Sequence, residues 1–223
     1  MQSLSPQISI VGEHQVFLGV PVVSDPEQCL HTQSRIWQLA HKCQDRDGVL
    51  ETVPGMNNLT LRLSDNQDPE VWCRWLESEF QRTASIEMPK GREHIIPVAY
   101  GGEEGPDLQT LASRHGLNCR DIIRLHTQGD YRVLFIGFLP GFPYLSGLPN
   151  ELHTPRLATP RQAVPAGSVG IGGAQTGIYP CKAPGGWHLI GRTHIELFDP
   201  KSNSPCLLSP GDRVIFVEGG YDA

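Results

Sequence analysis

Three arginines, Arg156, Arg161 and Arg192, lie in or just after the stretch of this sequence richest in glycine and proline. A guanidinium is a planar fork of donors that matches a carboxylate or a phosphoryl group, so their chemistry would be the holding of an anion. Between Gly137 and Trp187 there are ten glycines and eight prolines, well above averages of about 7% and 5%, which leaves a low-complexity linker or a set of shaped loops. Phe138, Phe142, Tyr144, Ile171, Tyr179 and Trp187 decide for loops, because a linker lacks such anchors. Glycines let backbone approach a ligand and turn successive amides into one concavity, while prolines lower the cost of ordering the loops. Glu151 is the only acid in the stretch, against Arg156, Arg161 and Lys182 with His153 nearby, so a chain of net charge -6 keeps one region locally positive.

The site expected here has Arg156, Arg161 and Arg192 as an anion clamp, with Gln175, Thr176 and Tyr179 as orienting donors. Phe142, Tyr144, Gly167, Ser168, Gly185, Gly186 and Trp187 complete the binding wall. His126, just before the strand that opens at Tyr131, is the candidate acid or base. Each arginine has surface ion pairing as its competing reading, and His126 has packing at a helix end.

Other chemistries are excluded by spacing. The run from Gly167 to Gln175 lacks a G-K-[ST] ending, and no G-x-G-x-x-G leads from a strand into a helix, so neither a P-loop nor a Rossmann turn is present. Ser168 is out of register for a nucleophile elbow. The six cysteines form no C-x-x-C pair and the nine histidines no H-E-x-x-H, which predicts reduced thiols and no metal site. The acidic balance argues against a nucleic-acid partner. No apolar run reaches the roughly 18 residues of a membrane span, and residues 1–10 have no signal-peptide pattern, so a cytoplasmic location is expected.

The elements that must position these residues change character along the chain. Residues 7–10 and 15–20 read as strands around Gly12, followed by a helix start at Ser24-Asp25-Pro26-Glu27 with Ser24 as cap. Leu30, Ile36, Trp37, Ala40 and Cys43 give that helix one apolar stripe, ending before Asp47-Gly48. Strands over 49–53 and 59–63 flank a turn at residues 54–58, and a second helix from Asp68-Pro69 buries Trp72, Trp75, Leu76 and Phe80. Strand pair, helix, strand pair, helix predicts an α+β domain of ferredoxin-like type over residues 1–90. A break at Pro89-Lys90-Gly91 opens a second domain, 91–223. It begins with a strand over 95–100 and helices over 106–115 and 118–127, with Asn118 as cap and Ile122 and Ile123 buried. Strands over 132–138, 168–172, 187–191, 196–198 and 214–217 then predict a β-barrel.

Several ordered blocks carry a family resemblance. They include Pro97-Val98-Ala99-Tyr100-Gly101-Gly102, Gly105-Pro106-Asp107-Leu108, Gly137-Phe138-Leu139-Pro140-Gly141-Phe142-Pro143-Tyr144, Thr154-Pro155-Arg156 and Thr159-Pro160-Arg161. Val164-Pro165-Ala166-Gly167-Ser168-Val169-Gly170, Gln175-Thr176-Gly177-Ile178-Tyr179-Pro180 and Pro184-Gly185-Gly186-Trp187 continue them. In these the chain resembles the KipI family, whose members are also called allophanate hydrolase subunit 1 or the B-type subunit of 5-oxoprolinase. The resemblance implies a ferredoxin-like N-terminal part and a cyclophilin-like C-terminal barrel. It also implies 5-oxoprolinase subunits C and A as partners, 5-oxoproline as substrate and ATP, with Mg2+, as a co-substrate shared with them. No biotin site of the A-M-K-M kind is present. Other relatives inhibit a sensor histidine kinase or serve allophanate and urea carboxylase systems. His188, His194 and Lys182 depart from the family pattern and stay outside the candidate set.

Overall fold

The computed structural model of this protein describes residues 5–21, 25–83 and 91–219. The chain divides into two compact units, Met1–Pro89 and Lys90–Ala223.

The first unit has the element order β1 (Gln7–Val11), β2 (Gln15–Gly19), α1 (Pro26–Gln44), β3 (Val49–Gly55), β4 (Asn58–Leu63) and α2 (Pro69–Arg82). Its antiparallel sheet runs β1-β2-β4-β3, so β4 lies between the two strands that α1 connects. Strand alternation sends Val16, Leu18, Leu59, Leu61 and Leu63 to one face, where they meet Ile36, Leu39, Trp72, Leu76 and Phe80. Trp75 is only partly buried. Asp25 caps α1: its carboxylate accepts from the Glu27 amide at 3.2 Å. Ser24 lies outside the described residues, as do Pro89 and Lys90 of the sequence break. The β3–β4 hairpin holds Asn57 at φ 51, a left-handed conformation asparagine tolerates. Buried Gln33 of α1 fastens it, accepting from the Asn57 amide at 2.8 Å and donating to Gly55 O at 3.0 Å.

The second unit is a closed barrel of seven strands in the order β10-β7-β6-β13-β5-β12-β9. These are β5 (Glu93–Tyr100), β6 (Tyr131–Ile136), β7 (Pro143–Ser146), β9 (Ser168–Gly172), β10 (Gln175–Ile178), β12 (His188–Arg192) and β13 (Arg213–Glu218). The pair β5–β13 is parallel and every other neighbour antiparallel. A separate ribbon pairs β8 (Arg161–Val164) with β11 (Ala183–Gly185). Helices α3 (Leu108–His115) and α4 (Cys119–Gln128) add Leu108, Leu111, Ala112 and Ile122 to a core that contains Val133, Leu145, Val169, Ile171, Ile178 and Phe216. Ile123 is only partly buried.

Two expectations change. Residues 196–198 form no strand, only an isolated bridge between Phe198 and Cys206. The stretch from Gly137 to Trp187 is not simply loops on a barrel: besides the expected strand β9 it supplies staves β7 and β10 and the ribbon. Staves β7 and β10 are too short, and too broken by glycine, proline and aromatic residues, to show an apolar alternation in the sequence.

Candidate functional site

All five residues of β9 are buried, which requires cover on both faces of the strand. Val169 and Ile171 point into the barrel core. Gly170 and Gly172 face outward, and with Gly177 of β10 they leave a shallow floor on which the Trp187 indole rests. A methyl carbon on Gly172 would stand 2.6 Å from the indole nitrogen, and one on Gly177 would stand 3.0 Å from the six-membered ring. Phe142 fills the middle of the resulting platform. Its ring centroid is 5.0 Å from Tyr144, 5.1 Å from Tyr179 and 5.4 Å from Trp187, each at a steep angle as aromatic edges prefer. Val164 of the ribbon and Leu189 close this second cluster, which is separate from the barrel core.

Phe138 stands at the rim, 59% exposed, with its ring 5.6 Å from Phe142 and 6.4 Å from Tyr179. Its φ of 66 and the 2.7 Å bond from the Leu139 amide to Gly137 O describe a γ-turn, a strained conformation for a bulky residue. The turn is closed by Phe142 N to Leu139 O at 3.0 Å and Gly137 N to Phe142 O at 3.1 Å.

The three arginines of the expected clamp have different surroundings. Arg161 donates to Asp107 Oδ1 at 2.6 Å and to Trp187 O at 3.3 Å. Arg192 donates to Ala166 O at 2.7 Å and to Glu104 Oε2 at 3.3 Å. Arg156 is exposed, with its guanidinium carbon 5.8 Å from the Trp187 ring centroid, and no carboxylate among the described residues pairs with it. Burial pushes the Tyr144 and Tyr179 hydroxyls up from their ordinary range. Arg156 draws both the other way, as do Arg161 and a hydrogen bond with the Trp187 backbone at Tyr179.

The remaining candidates divide between platform and scaffold. Gly185 lies against the Tyr179 hydroxyl, where a side chain would collide with it, and Gly186 O accepts from the Leu157 amide at 2.7 Å. Gly167 spans Tyr179 O and the Thr193 amide, while Ser168 is 2% exposed on β9 and presents no surface hydroxyl. Gln175 is half-buried at the start of β10. Thr176 and His126 are not at the platform. His126 sits in the barrel core with both ring nitrogens engaged, Nδ1 with the Tyr100 hydroxyl at 2.8 Å and Nε2 with Thr176 Oγ1 at 3.0 Å. Because Thr176 Oγ1 donates to Gly170 O at 3.0 Å, it accepts from His126, and Nδ1 accepts from Tyr100. Burial pushes the His126 pKa down to about 3. This neutral, fully bonded imidazole is a strut inside the barrel, which matches the packed reading of His126 rather than the acid-base one.

Two contributors escaped the sequence. Asp107 occupies the N-cap position of α3 but makes no capping bond. Its carboxylate instead accepts from Arg161 and from the Leu189 amide at 2.7 Å. In the sequence Asp107 stands in the Gly105-Pro106-Asp107-Leu108 block at a helix start, where an acid ordinarily means a cap. Phe138 was legible as an anchor, but not its left-handed backbone. No group of three or more possible metal ligands occurs among the described residues.

A curated relative from Escherichia coli O157:H7, named as the B-type subunit of 5-oxoprolinase, is 47% identical over 93% of this chain and 94% of its own length. A relative of the same name from Bacillus subtilis (strain 168) is 52% identical over 76% of this chain and 75% of its own. This chain belongs to the family of 5-oxoprolinase B-type subunits. Residues 6–208 of this family member also match the carboxyltransferase domain family, subdomains C and D. The crystal structure of TTHA0988 superposes with a TM-score of 0.76 at 36% identity, over 92% of this chain. The chain spans 40% of that structure's chain.

Proposed function

We propose that this chain is the B-type component of an ATP-dependent 5-oxoprolinase that opens 5-oxoproline to glutamate together with C-type and A-type subunits. The reaction is drawn from the names of its relatives. The place of this chain in it rests on one observation: an exposed arginine, without a carboxylate partner among the described residues, beside an aromatic platform. The substrate is a small lactam bearing a carboxylate, so a flat apolar surface and one guanidinium match its two ends. An unactivated lactam resists water. Transfer of a phosphoryl group from ATP to its carbonyl oxygen, with release of ADP, makes the ring carbon open to attack, and loss of phosphate follows ring opening. Mg2+ would accompany ATP, and this chain would carry no biotin.

The connectivity of the first unit supports a ferredoxin-like reading, with β1 as the outer strand beside β2, and the closed barrel supports a cyclophilin-like one for the second. No described helix is long and apolar enough to cross a membrane, and we place the complex in the cytoplasm. The test mixes this chain with candidate C-type and A-type chains, ATP and 5-oxoproline, and measures glutamate while each component is left out in turn. Glutamate should appear only with the full set; a full rate without this chain would overturn the reading.

A further inference from the structure

The fork of Arg161 is occupied twice, by the Asp107 carboxylate at 2.6 Å and by Trp187 O. Asp107 is largely buried, with 13% of its side chain exposed, and its second oxygen holds the Leu189 amide. A guanidinium so neutralised brings little net charge to a ligand, but it ties the ribbon strand β8 to the residue that bears the platform's largest ring. Arg192 is likewise engaged by Glu104 and Ala166 O. Lys182 is exposed on the turn before β11, whereas Arg156 lies over the Trp187 ring and its charge draws both platform phenols down. One cation thus remains over the rings with its donors open to solvent.

We propose that Arg156 alone reads the negative charge of the substrate at this platform, and that Asp107, acting through Arg161, is a positioning residue that holds Trp187 in place beneath it. The proposal rests on the 5-oxoprolinase reading and assigns separate tasks to arginines that the sequence presents as equivalent. A charge-assisted hydrogen bond acts only on the charged ligand, whereas a displaced floor acts on any ligand that stacks there.

The reconstituted complex of full-length chains gives the test. Binding of the charged substrate is read as KM for 5-oxoproline, and binding of the uncharged shape as the inhibition constant of its carboxamide. Arg156→Met should raise KM about tenfold or more and leave the inhibition constant within about twofold, with Arg156→Lys recovering part of the loss. Asp107→Asn and Arg161→Met should each weaken both ligands alike, and the double variant should be no worse than either single one. A mere loss of folded protein would lower kcat and leave both constants alone. The charge-reading role fails if Arg156→Met leaves KM unchanged or weakens acid and carboxamide equally. The positioning role fails if Asp107→Asn leaves both constants unchanged, affects the acid only, or adds fully to Arg161→Met. Full glutamate production without this chain would instead remove the functional reading itself, whatever the variants do.

Discussion

An alanine at position 172 would bring its methyl carbon within 2.6 Å of two atoms of the Trp187 indole, closer than packed atoms come, so Gly172→Ala must displace the ring. Overpacking of this kind costs about 1–3 kcal/mol, and the urea midpoint should fall accordingly while turnover of the reconstituted complex drops. At Gly173 an added carbon meets nothing within 4 Å, and the cost comes only from its φ of 67, about 1–2 kcal/mol, with turnover spared. His126 makes a different prediction. Its folded pKa of about 3 lies below the value of about 6.5 in an unfolded chain, so between the two the unfolded chain takes a proton that the native state refuses. Stability from this group is therefore constant above about pH 6.5 and falls below it, by at most about 1.4 kcal/mol per pH unit. Urea titrations at about pH 5 and about pH 7 should show a smaller difference for His126→Gln than for the wild type. At this scale the aromatic anchors were legible because size and spacing reveal them. The engagement of Arg161 was not, because Asp107 lies 54 residues away and meets it only through tertiary folding.

Elements built from local signals could be read from the sequence, and elements built from distant pairing could not. Helix α2 announces itself through Asp68-Pro69 and through Trp72, Leu76 and Phe80 at helical spacing, and the structure places the Asp68 carboxylate 3.0 Å from the Glu70 amide. Asn118 likewise accepts from the Asp121 amide at 2.9 Å. Asp68→Ala and Asn118→Ala should each lower stability by about 1 kcal/mol in a denaturant titration and leave the ligand constants of the complex unchanged. Asp107 looks the same in sequence, an acid before a helix, yet its loss should change ligand binding rather than helix stability. Staves β7 and β10 hide for the opposite reason. Tyr144 and Gly177 face the outer platform, so a strand that should alternate apolar and polar reads as glycine, proline and aromatic residues. The same two-sided burial explains why β9, with all five residues covered, was found at its correct bounds: a short run of small and β-branched residues between turns is the pattern of a strand covered on both faces.

Across the whole molecule, the apolar cluster around Leu61 and Phe80 shares no residue with the barrel core or with the platform, so each unit buries its own hydrophobic surface. Trp37, Trp72 and Trp75 all lie in the first unit and Trp187 alone in the second, which gives each unit its own optical reporter. Leu61 is fully buried in the first cluster, and truncation of such a residue to alanine costs about 2–5 kcal/mol. Because that loss falls on a core cluster whose residues all belong to the first unit, Leu61→Ala should destabilise the first unit and leave the second near its wild-type stability. In a Trp187→Phe background the fluorescence transition, now reporting the first unit only, should move to lower urea. Hydrogen exchange at Val169, Ile171 and Val133 in the parent chain should keep its wild-type protection when Leu61→Ala is introduced. Equal loss of protection in both units would show instead that the chain unfolds as one cooperative body, with the platform's stability drawn from the first unit as well as from its own barrel.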